Sequence, residues 1–240
     1  MSGSTDLVRP ARPLLVELQR LIERTYDLDT GLADIAPFVI GDEGYAIFYE
    51  GREAIQKVGS GAVREGEHLP TARTLVREEA RGVRVALYYP DRLVENLERN
   101  NPARRLGDDN VDDFATLVEE LDHFLVIADR HRARGTMTLL ELELHANVTK
   151  ALTLEKFVAR LLGGKRLAPE GRSWVRHHLF DKNEYCDEDL DVRARYRHAA
   201  SLAVRYLDYF EDLPAASRPR ELRLFHRRSH QAKIEQISRL

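Results

Sequence analysis

Two segments of this sequence place a glutamate four residues before a histidine in otherwise apolar surroundings. Glu119 precedes His123, and Glu141 precedes His145. Residues four apart lie on one face of an α-helix, so each pair would project in a single direction. A carboxylate beside an imidazole can bind zinc or non-haem iron, and the same two groups perform acid–base catalysis. The two pairs therefore indicate a metal-binding or catalytic site.

The residues around the first pair are apolar on more than one side of the predicted helix. Within 111–133, Phe114 and Leu121 belong to one apolar stripe, while Phe124 and Ile127 extend apolar character to the other side. We therefore expect this part of the helix to be surrounded by protein. Buried carboxylates must be paired, protonated or bound to metal, because an unpaired buried charge costs several kcal/mol.

A short link near 131–137 joins the two predicted helices, which favours an antiparallel hairpin. His123 lies 11 residues before Arg134, and His145 lies 11 residues after it. The two histidines are therefore expected at the same height, with a glutamate about one turn to either side. If the two faces meet, both histidines and the neighbouring carboxylates converge within reach of one metal ion.

The spacing Glu119-Glu120-x-x-His123, followed after 17 residues by Glu141, resembles the site of gluzincin-type zincin metallopeptidases. Those enzymes carry His-Glu-x-x-His on one helix and a glutamate ligand on a later helix. The resemblance implies that Glu120 is the general base and that His123 and Glu141 bind the metal. Glu119 would stand at the position of the first histidine. His145 would stand one turn after the ligand glutamate, where those enzymes often keep an acid.

This resemblance covers roughly 83–145, including a predicted strand at 83–89 that is similar to the sheet edge lining such sites. It implies a divergent metal-dependent hydrolase in which metal-activated water attacks a carbonyl. The metal would be held by His123, Glu141 and either Glu119 or His145. Zinc is the first expectation for this metal, with iron and manganese as alternatives.

Two other interpretations of these residues stay open. Glu120-x-x-His123 is also the unit of ferritin-like di-iron proteins, although those proteins need it twice and this sequence has it once. The pairs could instead form a buried polar network in a non-enzymatic helical scaffold or binding module. Enzymatic activity is therefore undecided, with metal-dependent hydrolysis as the leading hypothesis.

The apolar pattern predicts an α+β fold, with a small antiparallel sheet region followed by a mostly helical bundle. Residues 1–90 would contain a helix near 14–25 and strands within 38–61, including one at 45–49. Residues 91–240 would be helical and pack with the first region as one globular unit. The helices are predicted near 91–99, 111–133, 137–162, 170–180, 188–211 and 219–238.

Composition restricts the expected partners. The net charge of −3 does not favour nucleic acid or an anionic membrane, and Cys186 is the only cysteine, so a disulfide framework is excluded. The start of the sequence does not resemble a secretory signal, which predicts a cytoplasmic protein. The basic segment 218–240 is expected to dock by its apolar side. The remaining partners are a small-molecule or peptide substrate of unknown identity and a homo-oligomer.

Overall fold

The computed structural model describes residues 12–49, 56–58, 71–79, 82–182 and 189–240. The helices and strands follow in the order α1 (Arg12–Tyr26), β1 (Val39–Ile40), α2 (Asp42–Tyr49), β2 (Gln56–Val58), β3 (Arg73–Glu79), β4 (Gly82–Tyr88), α3 (Asp91–Arg99), α4 (Val111–Arg132), α5 (Leu139–Leu161), α6 (Pro169–Arg176), α7 (Leu190–Asp212), α8 (Arg218–Arg227) and α9 (His230–Ser238). A turn of π-helix continues α6 as far as Asp181. The predicted α+β class with a helical majority is confirmed.

The described strands form one sheet in the order β1-β4-β3-β2. β2 pairs with β3 and β3 with β4 in antiparallel fashion, and Leu75 lies opposite Ala86 near the middle of the longer pair. β1 joins the end of β4 in parallel, through Val39 opposite Leu87. The predicted antiparallel region therefore gains one short parallel edge strand. β3 and β4 lie against α4.

The strand predicted at 45–49 is wrong, because these residues belong to α2. Asp42 and Glu43 occupy the first turn of this helix, where the partial positive charge of a helix N-terminus favours acidic side chains. The hydroxyl of Tyr88 also donates to Asp42, at 2.6 Å. Other predictions at 50–55, 59–61 and 183–188, a range that includes Cys186, lie outside the described residues.

The helix predicted over 219–238 is in fact two helices. The backbone of Arg228 is extended, and the hydroxyl of Ser229 then accepts a hydrogen bond from the Ala232 amide at the start of α9. A serine at this position satisfies one of the free amides of a new helix. Docking of this segment by its apolar side is confirmed, since Leu222 and Ile237 are buried in the core.

α4 and α5 form the predicted antiparallel hairpin, which the structure surrounds with other elements. Every residue of 117–126 in α4 and of 141–151 in α5 is buried. α7 packs along α5, while α1 contacts α4 and α8. One cluster of buried apolar side chains extends through these elements from Leu14 to Ile237. None of the described helices has the length and apolar character needed to cross a membrane.

The loop between α3 and α4 is held by the side chain of Asn110, which is buried. Its amide nitrogen donates to the carbonyls of Asn100 at 2.7 Å and Arg105 at 2.8 Å. Its oxygen accepts from the Gly107 amide at 2.9 Å. Irregular backbone needs such partners, because it lacks the hydrogen bonds of a helix or a sheet. Asn110 therefore gives the loop a defined shape.

Replacing Asn110 with alanine should lower the free energy of unfolding by about 2–4 kcal/mol, because three hydrogen bonds are lost and the backbone groups that made them are left unpaired. Urea denaturation followed by circular dichroism would measure the change. Thr116→Ala is the control, since among the described residues its hydroxyl bonds only the Asp112 carbonyl of its own turn; we expect a change below about 0.5 kcal/mol there. Equal stability of the two variants would contradict the anchoring role.

Candidate metal-binding site

Three buried side chains bring potential metal ligands together at the α4–α5 interface. Glu119 and His123 lie one turn apart on α4, and Glu143 comes from α5. One ligand atom from each residue lies within 4.8 Å of those of the other two. Ligands of a tetrahedral zinc ion, each about 2.0–2.2 Å from the metal, lie about 3.3–3.6 Å apart. The group could therefore hold a metal ion after a small inward movement of its side chains.

The imidazole of His123 is completely buried, and neither of its ring nitrogens has a hydrogen-bond partner in the part of the chain that the structure describes. Its Nε2 lies 3.6 Å from Oε1 of Glu143, which is too long for a hydrogen bond. Burial lowers the pKa of His123, but the carboxylates of Glu143, Glu120 and Glu119 outweigh this effect and raise it to about 9. The nitrogens of a buried histidine ring ordinarily have hydrogen-bond partners, so the state of both nitrogens of His123 requires an explanation.

Glu120 is a completely buried carboxyl group beside this histidine. Its Oε1 has no hydrogen-bond partner within the described ranges, while Oε2 lies 3.1 Å from the hydroxyl of Thr74 on β3. Burial raises the pKa of Glu120 to about 8; the charge of His123 opposes this rise, and the neighbouring glutamates add to it. A carboxyl with a pKa in this range can exchange a proton near neutral pH, as a general base must.

A cation already lies at the more accessible edge of the group. Nζ of Lys150 on α5 is 2.7 Å from Oε2 of Glu119, and the two side chains are 9% and 11% exposed. The phenol of Tyr196 on α7 lies beside the same carboxylates: burial and then the charge of Glu143 raise its pKa. Lys150 would therefore compete with a metal ion for Glu119.

Glu141 lies in a different environment from the three clustered ligands. Its carboxylate forms an ion pair with Lys233 of α9 and lies 3.5 Å from the guanidinium of Arg130. Lys233 is itself 1% exposed, so this ion pair is buried. At the start of α5, the backbone amide of Glu141 donates to the hydroxyl of Thr138. The side chain thus joins α5 to α9.

His145 belongs to a third set of contacts. Its Nδ1 lies 2.8 and 3.0 Å from the two oxygens of Asp122, and its Nε2 lies 3.3 Å from Nδ1 of His226. Nε2 of His226 lies 2.9 Å from Oδ2 of Asp129, and the hydroxyl of Thr149 donates to Oδ1 of Asp122 at 2.8 Å. Burial, followed by the charge of His145, lowers the pKa of His226 to about 3. This chain of side chains joins α8 to the hairpin.

The polar residues of the hairpin lie at the expected heights, but the side chains that contact one another are not the pairs that the sequence predicts. The contacting pairs Asp122–His145 and His123–Glu143 are each nearly symmetric about Arg134. Each histidine therefore faces a carboxylate of the opposite helix, and Glu119 and His123 are grouped with Glu143. The sequence pattern would also allow Glu143 to face solvent, yet it is 2% exposed. Its only sequence signal is a position close to the mirror image of His123.

The described residues thus supply an imidazole, two carboxylates and an adjacent carboxyl of raised pKa, with a lysine at the edge. Such a set can bind a dication or, without one, form a network of buried charges. The partners on β3, α7 and α9 are too distant in sequence for the local patterns to indicate them. No protein-family model matches this sequence, and searches of curated proteins and of solved structures also give no match.

Proposed function

We propose that this protein binds a divalent transition metal through Glu119, His123 and Glu143. The observation that carries the proposal is the buried imidazole of His123, whose two ring nitrogens have no hydrogen-bond partner among the described residues although carboxylates surround it. One imidazole with two carboxylates suits zinc, and it also suits iron(II) or manganese(II). Three protein ligands would leave a coordination position for water, which is typical of catalytic zinc sites.

The chemistry that this arrangement would perform best is metal-dependent hydrolysis of a carbonyl compound. A bound metal lowers the pKa of water to about 7, and Glu120 would accept its proton. The ligand positions of Glu119 and His123 and the base position of Glu120 are those implied by the resemblance to gluzincin-type peptidases. The third ligand would move from Glu141 to Glu143. A small-molecule or peptide substrate remains part of this proposal.

Protein purified without a chelating column should take up about one equivalent of Zn²⁺. Saturation should raise the melting temperature by about 5–10 °C, because a ligand held by the native state alone stabilises it. Glu143→Gln should weaken binding at least about tenfold, through loss of a charged ligand. Calorimetry and thermal melts would measure both effects.

Glu141→Gln is the matched control for this experiment, because it makes the same change two residues away, where the partner is Lys233. We expect it to lower stability but to leave Zn²⁺ affinity unchanged at a temperature where both variants are folded. Uptake below about a tenth of an equivalent during titration with Zn²⁺ would contradict the site. Equal losses of Zn²⁺ affinity in Glu143→Gln and Glu141→Gln would also contradict the site.

The role of Glu120 can be separated from metal binding. Glu120→Gln should keep the Zn²⁺ stoichiometry and lower Zn²⁺-dependent hydrolysis of p-nitrophenyl acetate by about 10²- to 10⁴-fold, the usual contribution of general acid–base catalysis. Glu98→Gln, an exposed change on α3, is the control and should keep the rate. If the Zn²⁺-dependent rate of hydrolysis were equal in the two variants, Glu120 would not be the general base.

A second candidate function is a non-enzymatic helical scaffold or binding module. The observation that favours it is the 2.7 Å contact between Lys150 and Glu119, since this ammonium already compensates one of the buried carboxylates. In that case the raised pKa of His123 would reflect an imidazolium held among glutamates. The whole group would then be a network that joins α4, α5 and β3 without a metal.

Lys150→Met distinguishes the two functions. Removing the ammonium that pairs with Glu119 should cost about 3–5 kcal/mol of unfolding free energy, the usual effect of breaking a buried ion pair. If the group binds metal, added Zn²⁺ should restore most of this loss in a urea titration. If the group is only a scaffold network, Zn²⁺ should restore nothing. Lys156→Met, an exposed change on the same helix, is the control and should be nearly neutral.

A further inference from the structure

A cavity of about 340 Å³ lies between α1, α3 and the loop that follows α3. Tyr89 also lines it, but the tyrosine hydroxyl donates to the Leu117 carbonyl at 2.8 Å and so offers no free donor. None of the lining residues belongs to the Glu119, His123 and Glu143 group. The apolar side chains that line the cavity are Leu14, Leu15, Val39, Val94, Leu97 and Leu117.

The polar residues that line the cavity give it a positive charge. Among the described residues they include three arginines and a single carboxylate, that of Glu98. The guanidinium of Arg105 pairs with Asp109, and Arg99 donates to the Glu95 carbonyl of its own helix at 3.3 Å. Arg104 is exposed and makes no side-chain hydrogen bond or ion pair among the described residues. Its charge is therefore available to a ligand.

The wall of the cavity that carries these arginines is held in a fixed shape. The side chain of Asn110 holds the loop through hydrogen bonds to the carbonyls of Asn100 and Arg105. The Asn101 carbonyl also accepts from the Arg104 amide at 2.9 Å, which closes a turn. A cavity shaped before a ligand arrives loses less conformational entropy on binding.

We infer that this cavity binds an amphipathic carboxylate, with its apolar chain in the cavity and its head group at Arg104. If each heavy atom takes the roughly 30 Å³ that one water molecule occupies in the liquid, the volume corresponds to about eleven heavy atoms. An apolar interior with a few polar groups at one end is the usual form of a small-molecule site. The arginines favour an anionic head over a neutral or cationic one. This inference is independent of the metal site.

Octanoate, which has ten heavy atoms, is the probe for this site, and calorimetric titration of the full chain is the measurement. Octanoate should bind saturably at one site and at least about fivefold more tightly than octan-1-ol, with octylammonium weakest. Arg104→Glu should weaken octanoate about tenfold and leave octan-1-ol nearly unchanged. Val94→Trp should fill the cavity and weaken all three ligands.

Arg220→Glu is the matched control, because this exposed arginine of α8 does not line the cavity. It should leave octanoate affinity unchanged. The inference is overturned if octanoate shows no saturable binding or binds no more tightly than octan-1-ol. It is also overturned if Arg220→Glu weakens octanoate as much as Arg104→Glu does, or if Val94→Trp, still folded by circular dichroism, binds like the parent protein.

Discussion

A charged side chain that is removed from water needs an opposite charge or hydrogen bonds, and the α4–α5 hairpin meets this requirement by drawing on most of its neighbours. Its two central segments are buried on every side, yet they carry carboxylates, histidines and a lysine. β3 supplies Thr74, α8 supplies His226 and α9 supplies Lys233. Because an uncompensated buried charge costs several kcal/mol, these contacts help to determine where the last two helices dock.

The same requirement makes the exceptions informative. His123 and Glu120 are completely buried, and both still have side-chain atoms that no described residue hydrogen-bonds. Both also have a raised pKa: burial raises that of Glu120, while the carboxylates of Glu143, Glu120 and Glu119 raise that of His123 against the opposing effect of burial. Native proteins leave few buried polar groups unsatisfied, and groups with shifted pKa values concentrate at functional sites. The adjacent pair therefore distinguishes this side of the hairpin from the side occupied by Asp122 and His145.

The hairpin and the heights of its polar residues can be predicted from the sequence, because link length and helical rise determine both. The rotation of each helix cannot, because it depends on packing with elements that are distant in the sequence. Glu141, predicted to face the metal, instead pairs with Lys233, which lies 92 residues further along the chain. The short apolar run at 45–49 predicts a strand, yet a run of this length also suits a buried helix. In the structure this run is part of α2, whose first turn is acidic and accepts a hydrogen bond from Tyr88.

A count of charges links the two functions proposed for the site. Without a metal, the charges of Glu119 and Glu143 are balanced by those of Lys150 and an imidazolium at His123. Glu120 is protonated near neutral pH, because its pKa is about 8. This neutral state explains how the group could serve as a scaffold. A dication would replace the imidazolium proton, because metal ligands must be deprotonated. The group would then carry one excess positive charge, which ionisation of Glu120 would cancel. Metal binding would thus create the base that hydrolysis needs.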